Sequence, residues 1–211
     1  MKKSSLMIIL LTFFSAGFIS ANAKADSFTI LTFADPLQIT QVTPLFTVNL
    51  LTDTITGGWA DTKTGLFLKV SYSGNTYDDA FFTMTDVSYT GPTSGGVTEG
   101  GTIKFFKDGQ STSTTPLIQI DFASGSVSPY GIAGMDEFFA NGVVITGSEI
   151  GSTQLLDESF SFSFANQKAL SGNWNKGFTA TASFTSSAVV PEPVTICLLG
   201  LGALSLIRRK R

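Results

Sequence analysis

The chain has 211 residues, with 13 Lys and Arg, 16 Asp and Glu, no His and one Cys. The absence of His removes Ser-His-Asp and Cys-His nucleophilic constellations, His-containing zinc sites and the commonest general base near neutral pH. The lone Cys, Cys197, excludes a disulfide framework and a thiolate metal site.

The N-terminus reads as a secretory signal peptide over residues 1–25. Lys2 and Lys3 precede an uncharged apolar stretch from Leu6 to Ile19. Ala21-Asn22-Ala23 and Ala23-Lys24-Ala25 then offer small residues for cleavage. A cut after Ala25 is favoured and leaves Asp26 as the new N-terminus; a cut after Ala23 is the other option. Beyond it, residues 26–188 hold fifteen acids against six cations, a net charge of −9. Such a balance speaks against nucleic acid and against an anionic membrane surface as partners.

Period-two alternation recurs through this body and predicts strands. Leu66, Leu68, Val70 and Tyr72 alternate with Phe67, Lys69 and Ser71, and Ile118, Ile120 and Phe122 with Leu117, Gln119 and Asp121. Phe160, Phe162 and Phe164 alternate with serines, and Phe178, Ala180, Ala182 and Phe184 with Thr179, Thr181 and Ser183. Ser27 to Phe33, Val42 to Leu51, Phe81 to Tyr89, Gly101 to Phe106 and Val143 to Thr146 are further strand candidates, rich in Phe, Thr and Val. Thr56-Gly57-Gly58, Ser73-Gly74-Asn75, Gly91 to Gly96, Asp108-Gly109 and Ser171-Gly172-Asn173 read as turns. Phe106-Lys107-Asp108-Gly109 suggests a hairpin between Ile103 and Ile120, with a loop made long by Ser111 to Pro116. One helical turn fits Met135 to Ala140. The predicted architecture is all-β, a single antiparallel β-sandwich over residues 26–184, with a closed barrel as the runner-up. Thr185-Ser186-Ser187-Ala188 reads as the start of a hydroxyl-rich linker over residues 185–190.

The acids are the only candidates for catalysis. Asp78-Asp79, Asp136-Glu137 and Asp157-Glu158 are adjacent pairs, with Glu99 and Asp121 alone. A glycoside hydrolase needs two carboxylates about 5–10 Å apart across a sugar. Neighbours on a strand point to opposite faces, so no adjacent pair makes that site by itself. Calcium fits Asn75 to Asp79 in part, but there is no EF-hand spacing, so no metal ligand, catalytic residue or cofactor is assigned. Trp59 and Trp174 both sit beside turns. Exposed, they would stack on sugar rings; their alternative is burial at the edge of the sheet.

The C-terminal segment carries the most specific pattern. Pro191-Glu192-Pro193 precedes an apolar run containing Val194, Ile196, Leu198, Leu199, Gly200, Leu201, Leu204 and Ile207, and Arg208-Arg209-Lys210-Arg211 follows. The cations should stay on the cytoplasmic side, leaving the body outside. As a helix, Val194 to Ile207 would rise roughly 21 Å at about 1.5 Å per residue, short of about 30 Å of hydrocarbon. Snorkelling cations and the apolar Val189-Val190 make up length. The expectation is a membrane-spanning helix.

In motif, spacing and position, residues 191–211 resemble a PEP-CTERM sorting signal. The resemblance covers about a tenth of the chain. It implies recognition by a membrane-embedded exosortase, a cysteine-type transpeptidase-like enzyme, with cleavage near the motif. It also implies a Gram-negative-type host, usually one that makes exopolysaccharide. Together with the signal peptide, it gives the expectation of a non-enzymatic exported protein of the cell envelope or extracellular matrix. Signal peptidase and exosortase would be its processing partners, with a membrane intermediate and no nucleic acid. A polysaccharide-binding module and a secreted carboxylate-dependent glycan hydrolase are the alternatives.

Overall fold

An extended chain turns successive side chains to opposite faces, so alternating apolar and polar residues make a sheet with one wet and one buried side. The computed structural model describes residues 27–34, 44–59, 65–92, 95–135 and 142–190. Residues Ser27–Val190 form one compact unit. Its first strands are β1 (Ser27–Phe33), β2 (Phe46–Asn49), β3 (Thr54–Trp59), β4 (Leu66–Val70), β5 (Asn75–Met84) and β6 (Val87–Thr90). Then come β7 (Gly96–Phe106), β8 (Ile118–Ser128), β9 (Gly131–Met135), β10 (Val143–Thr146), β11 (Leu156–Ala169) and β12 (Gly177–Val189). All twelve belong to one antiparallel sheet.

That sheet closes on itself. β1 pairs with β4 on one side and with β12 on the other. Four pairs of strands are each one line broken by an insertion. β1 and β2 both lie along β12, where Phe33 faces Phe184 and Phe46 faces Ala180. β3 and β4 share β5, β5 and β6 share β7, and β9 and β10 share β8. The barrel wall therefore has eight staves, β1 with β2, β3 with β4, β5 with β6, β7, β8, β9 with β10, β11 and β12. Each stave adjoins the next in the chain, and the last adjoins the first.

The fold is thus a closed antiparallel β-barrel and not the favoured sandwich. The two share the same alternation, and what separates them is the pairing of Ser27 with Val189, the two ends of the domain. No local pattern encodes that contact.

A barrel of about eight strands is just wide enough for side chains to fill it. Phenylalanine fills this one. Phe33, Phe46, Phe82, Phe105, Phe162 and Phe184 are all buried. Their rings meet across the interior, with centroids 4.5 Å apart for Phe162–Phe184, 4.8 Å for Phe46–Phe162 and 5.6 Å for Phe33–Phe184. Each such ring contributes about 1.5–3 kcal/mol through burial.

Glycines make room for the rings. Phe46 lies opposite Gly57, Phe122 opposite Gly101 and Phe160 opposite Gly134. A Cβ on Gly57 or Gly134 would stand 2.6 Å from the facing ring. The phenylalanine covers the glycine's backbone, a cross-strand arrangement that offsets glycine's weakness in a strand. This is why Thr56-Gly57-Gly58, read from sequence as a turn, is strand, and why Gly134 is accommodated in β9.

Other local readings also shift. Phe81 to Tyr89 breaks between Met84 and Val87; of Val42 to Leu51, Phe46–Asn49 form β2, and Val42 and Thr43 lie outside the described residues. The expected hairpin forms between β7 and β8, and in it Ile103 lies opposite Ile120. Met135 ends β9; the rest of the expected helical turn lies outside the described residues. Among the described residues no helix is long and apolar enough to cross a membrane.

The expected linker is part of the wall. Thr185 to Val189 belong to β12, paired with β1 on one side and with β11 on the other. Ser186 and Ala188 face inward at 1% and 0% exposure. Small residues fit there, and the period of two simply continues.

In an up-and-down barrel, alternate turns share an end. The near end holds Ser27, Val190, the β4–β5 turn, the β7–β8 loop and the β10–β11 loop. The far end holds the β2–β3, β6–β7, β8–β9 and β11–β12 turns.

Candidate functional site

Two places gather side chains with chemistry. At the near end, Gly147 turns the chain out of β10 and sits against the carbonyl of Leu117. The amides of Ser148 and Glu149 donate to the carbonyls of Pro116 and Leu117, at 3.0 and 3.1 Å. Ile150 and Leu155 anchor the loop in the core.

This loop delivers Glu149 to the β4–β5 hairpin. Its Oε2 accepts from Asn75 Nδ2 at 2.8 Å and from the Ser73 hydroxyl, and its Oε1 accepts from the Tyr77 hydroxyl at 2.6 Å. Tyr72 bonds Thr153 at 2.7 Å and stacks on Phe28 of β1, with centroids 5.7 Å apart. Burial pushes the Glu149 carboxyl up, but the three donors outweigh it and hold it below its usual value. Tyr77 is pushed up to about 12, first by burial and then by the hydrogen bond to Glu149 and its charge. A carboxylate surrounded by three donors is an acceptor already in use. Chemically, the cluster is a latch tying a loop to a hairpin turn.

Among the described residues, the other acids are also occupied or exposed. Glu158 is buried and accepts the Ile145 amide at 2.8 Å, holding β10 against β11. Asp121 accepts from Thr102 at 2.6 Å and from Gln119 at 2.7 Å. Asp78, Asp79, Glu99 and Asp157 are exposed. Asp136 and Glu137 lie outside the described residues. Among the described residues, no group of three His, Cys, Asp or Glu stands close enough together to hold a metal ion.

The far end carries the second cluster. Trp174 sits in a short 3-10 turn, Trp174–Lys176, closed by the Asn173 side chain, which accepts the Asn175 amide at 2.9 Å. Its ring packs 6.3 Å from Phe178 while 53% of the residue remains exposed. The β8–β9 turn adds Tyr130, 81% exposed, whose carbonyl accepts the Phe164 amide at 2.7 Å. Leu51 and Val97 are exposed at the same end. Trp59, by contrast, is only 2% exposed. Its ring belongs to the core, so of the two tryptophans only Trp174 offers a surface to a sugar.

Sequence reading missed Glu149 and Tyr130. Glu149 is a lone acid whose partners lie 72 to 76 positions away. Tyr130 had a signal, since Ser-Pro-Tyr-Gly is a turn that places an aromatic at its tip. Ala23, Ala25 and the whole of residues 191–211 lie outside the described residues. No family model, curated protein or solved structure matches this chain.

Proposed function

We propose that this chain is an exported, non-enzymatic protein of the cell envelope or extracellular matrix. A signal peptide ending at Ala25 or Ala23 would export it. The segment from Pro191 to Arg211, which resembles a PEP-CTERM signal, would sort it and then be cleaved from it. What supports the reading is a sequence pattern: an acidic body without His or Cys lies between an N-terminal segment that reads as a signal peptide and a C-terminal one that resembles a sorting signal. Replacing Pro191, Glu192 and Pro193 by Ala should leave full-length chain in the membrane fraction. Unchanged mass and unchanged export would refute the sorting role.

A second reading is a polysaccharide-binding module. Trp174 and Tyr130, both exposed at the far end, favour it, because aromatic faces stack on sugar rings. Trp174→Ala and Tyr130→Ala should each lower retention on a glycan array by about tenfold, the equivalent of about 1.4 kcal/mol. Absence of binding to any glycan by the unaltered protein would dismiss it.

A further inference from the structure

Turn tips are solvated and favour Gly, Pro, Asn, Asp and Ser. The far end of the barrel departs from this at each of its four turns. Leu51 stands on the β2–β3 turn, Val97 at the foot of the β6–β7 turn, Tyr130 on the β8–β9 turn and Trp174 on the β11–β12 turn. Half or more of each residue is exposed. They are four of the seven large hydrophobic side chains exposed among the described residues; the others, Phe67, Val144 and Leu156, lie on β4, β10 and β11. We propose that this rim docks on a membrane, laying its four apolar tips into the surface of a zwitterionic lipid bilayer. The inference goes beyond the export reading and competes with the glycan reading for Trp174 and Tyr130.

Hydrogen bonds hold the tips in place. The Leu50 amide donates to the Lys176 carbonyl at 3.0 Å, and the Tyr89 amide of β6 donates to the Asp53 carbonyl at 2.8 Å. The first bond ties the β2–β3 turn to the β11–β12 turn, and the second ties it to the next stave. Phe164 holds the Tyr130 carbonyl, Gln167 donates from its side chain to the Pro129 carbonyl, and Trp174 rests on Phe178. The tips are therefore ordered before contact, which lowers the entropic cost of binding.

Geometry, side-chain chemistry and charge select the occupant. Eight staves about 4.8 Å apart and tilted about 40° close into a ring about 16 Å across. Tips spread over four turns of such a ring meet a flat surface together. Trp and Tyr collect at membrane–water interfaces, where their amphipathic rings sit at the level of the headgroups. Leu51 and Val97 suit the same surface, but offer a sugar no aromatic face. The four turns carry one acid, Asp53, and one cation, Lys176, whereas the near end holds Asp108, Glu149 and Asp157 against Lys107. A body of net charge −9 is repelled by an anionic bilayer, while a zwitterionic one admits the neutral end. A second copy of the chain is the remaining candidate for an apolar rim. The four tips offer about 400–500 Å² in total, well short of the roughly 800 Å² per partner that a stable protein pair buries.

The two tryptophans make the test direct, because Trp59 is in the core and Trp174 is on the rim. Full-length chain is mixed with phosphatidylcholine vesicles whose acyl chains carry bromine, a contact quencher of indole fluorescence. The wild type should lose the Trp174 part of its emission, and Trp174→Phe, in which Trp59 reports alone, should lose none. Leu51→Asp, on a different turn, should shift the equilibrium between lipid-buried and exposed Trp174 about tenfold towards exposed, and Val97→Asp should do the same from a third turn. Circular dichroism melts check that both variants keep the fold. Vesicle-bound chain whose Trp174 is not quenched overturns the inference, and so does quenching indifferent to both substitutions, since another segment then brings the chain to lipid. A blue shift of Trp174 on polysaccharide without quenching by lipid overturns it in favour of the glycan reading. A dimer in sedimentation that Leu51→Asp dissociates overturns it in favour of a second copy.

Discussion

Replacing Glu149 by Ala removes the acceptor that holds the β10–β11 loop to the β4–β5 hairpin. Three donors lose their partner: Ser73, Asn75 and Tyr77. Ser73 and Asn75 are exposed, so water takes over and their share is small. The Tyr77 hydroxyl is half-buried, and a hydrogen bond to a charged group contributes about 1.5–3 kcal/mol. Taken together, the loss is about 2 kcal/mol, or about 4–8 °C in Tm for a domain of this size. The pH dependence has a definite sign. The Glu149 carboxyl is held below its unfolded value, so its contribution is fully present above the unfolded pKa and is lost as pH falls through the folded one. The gap between wild type and Glu149→Ala should therefore narrow in acid. Tyr77 acts oppositely: held up to about 12 against an ordinary 10.0, it contributes stability below pH 10 that is lost as pH rises towards 12. Tyr89 is also pushed up, by burial and by Asp53, so Tyr77→Phe should reduce the alkaline loss without abolishing it. Thermal melts followed by circular dichroism across pH 3–11 read both arms. Equal melting of wild type and Glu149→Ala at pH 7, or a gap that stays constant into acid, would refute the latch.

Phe162→Ala should cost about 3–5 kcal/mol, because its ring touches Phe46, Phe82 and Phe184 across the barrel and nothing can collapse into the space; denaturant unfolding with an unchanged m-value checks this. Gly134→Ala should destabilise by about 1–3 kcal/mol through the contact with Phe160, in spite of alanine's entropic advantage. Phe160→Leu in the same chain should relieve part of that cost, and strict additivity in the double-mutant cycle would contradict the ring-over-glycine packing.

How far the fold can be read from sequence depends on which interactions are local. β4, β8, β11 and most of β12 announce themselves, because apolar residues alternate along each with mostly polar ones, Phe67 of β4 being an exception. β3 and β9 do not, because Gly57 and Gly134 look like turn residues until the phenylalanines opposite them are known. Thr185 to Ala188 looks like a linker by composition and is wall by periodicity; the small inward residues Ser186 and Ala188 fit the wall's inner face. Barrel closure and the Glu149 latch are invisible for one reason. Each is a contact between residues far apart in the chain, and neither leaves a mark in any short window. The exposed Trp174 and the buried Trp59 show the same limit from the other side. Both flank turns, and only the packing tells them apart.

The intact mass of the protein recovered from its producing cell, measured by cell fraction, bears most directly on the central claim. The account predicts material outside the inner membrane, beginning at Asp26 or Lys24 and ending near Pro191–Pro193. Full-length chain that keeps Met1 and Arg211 would contradict it.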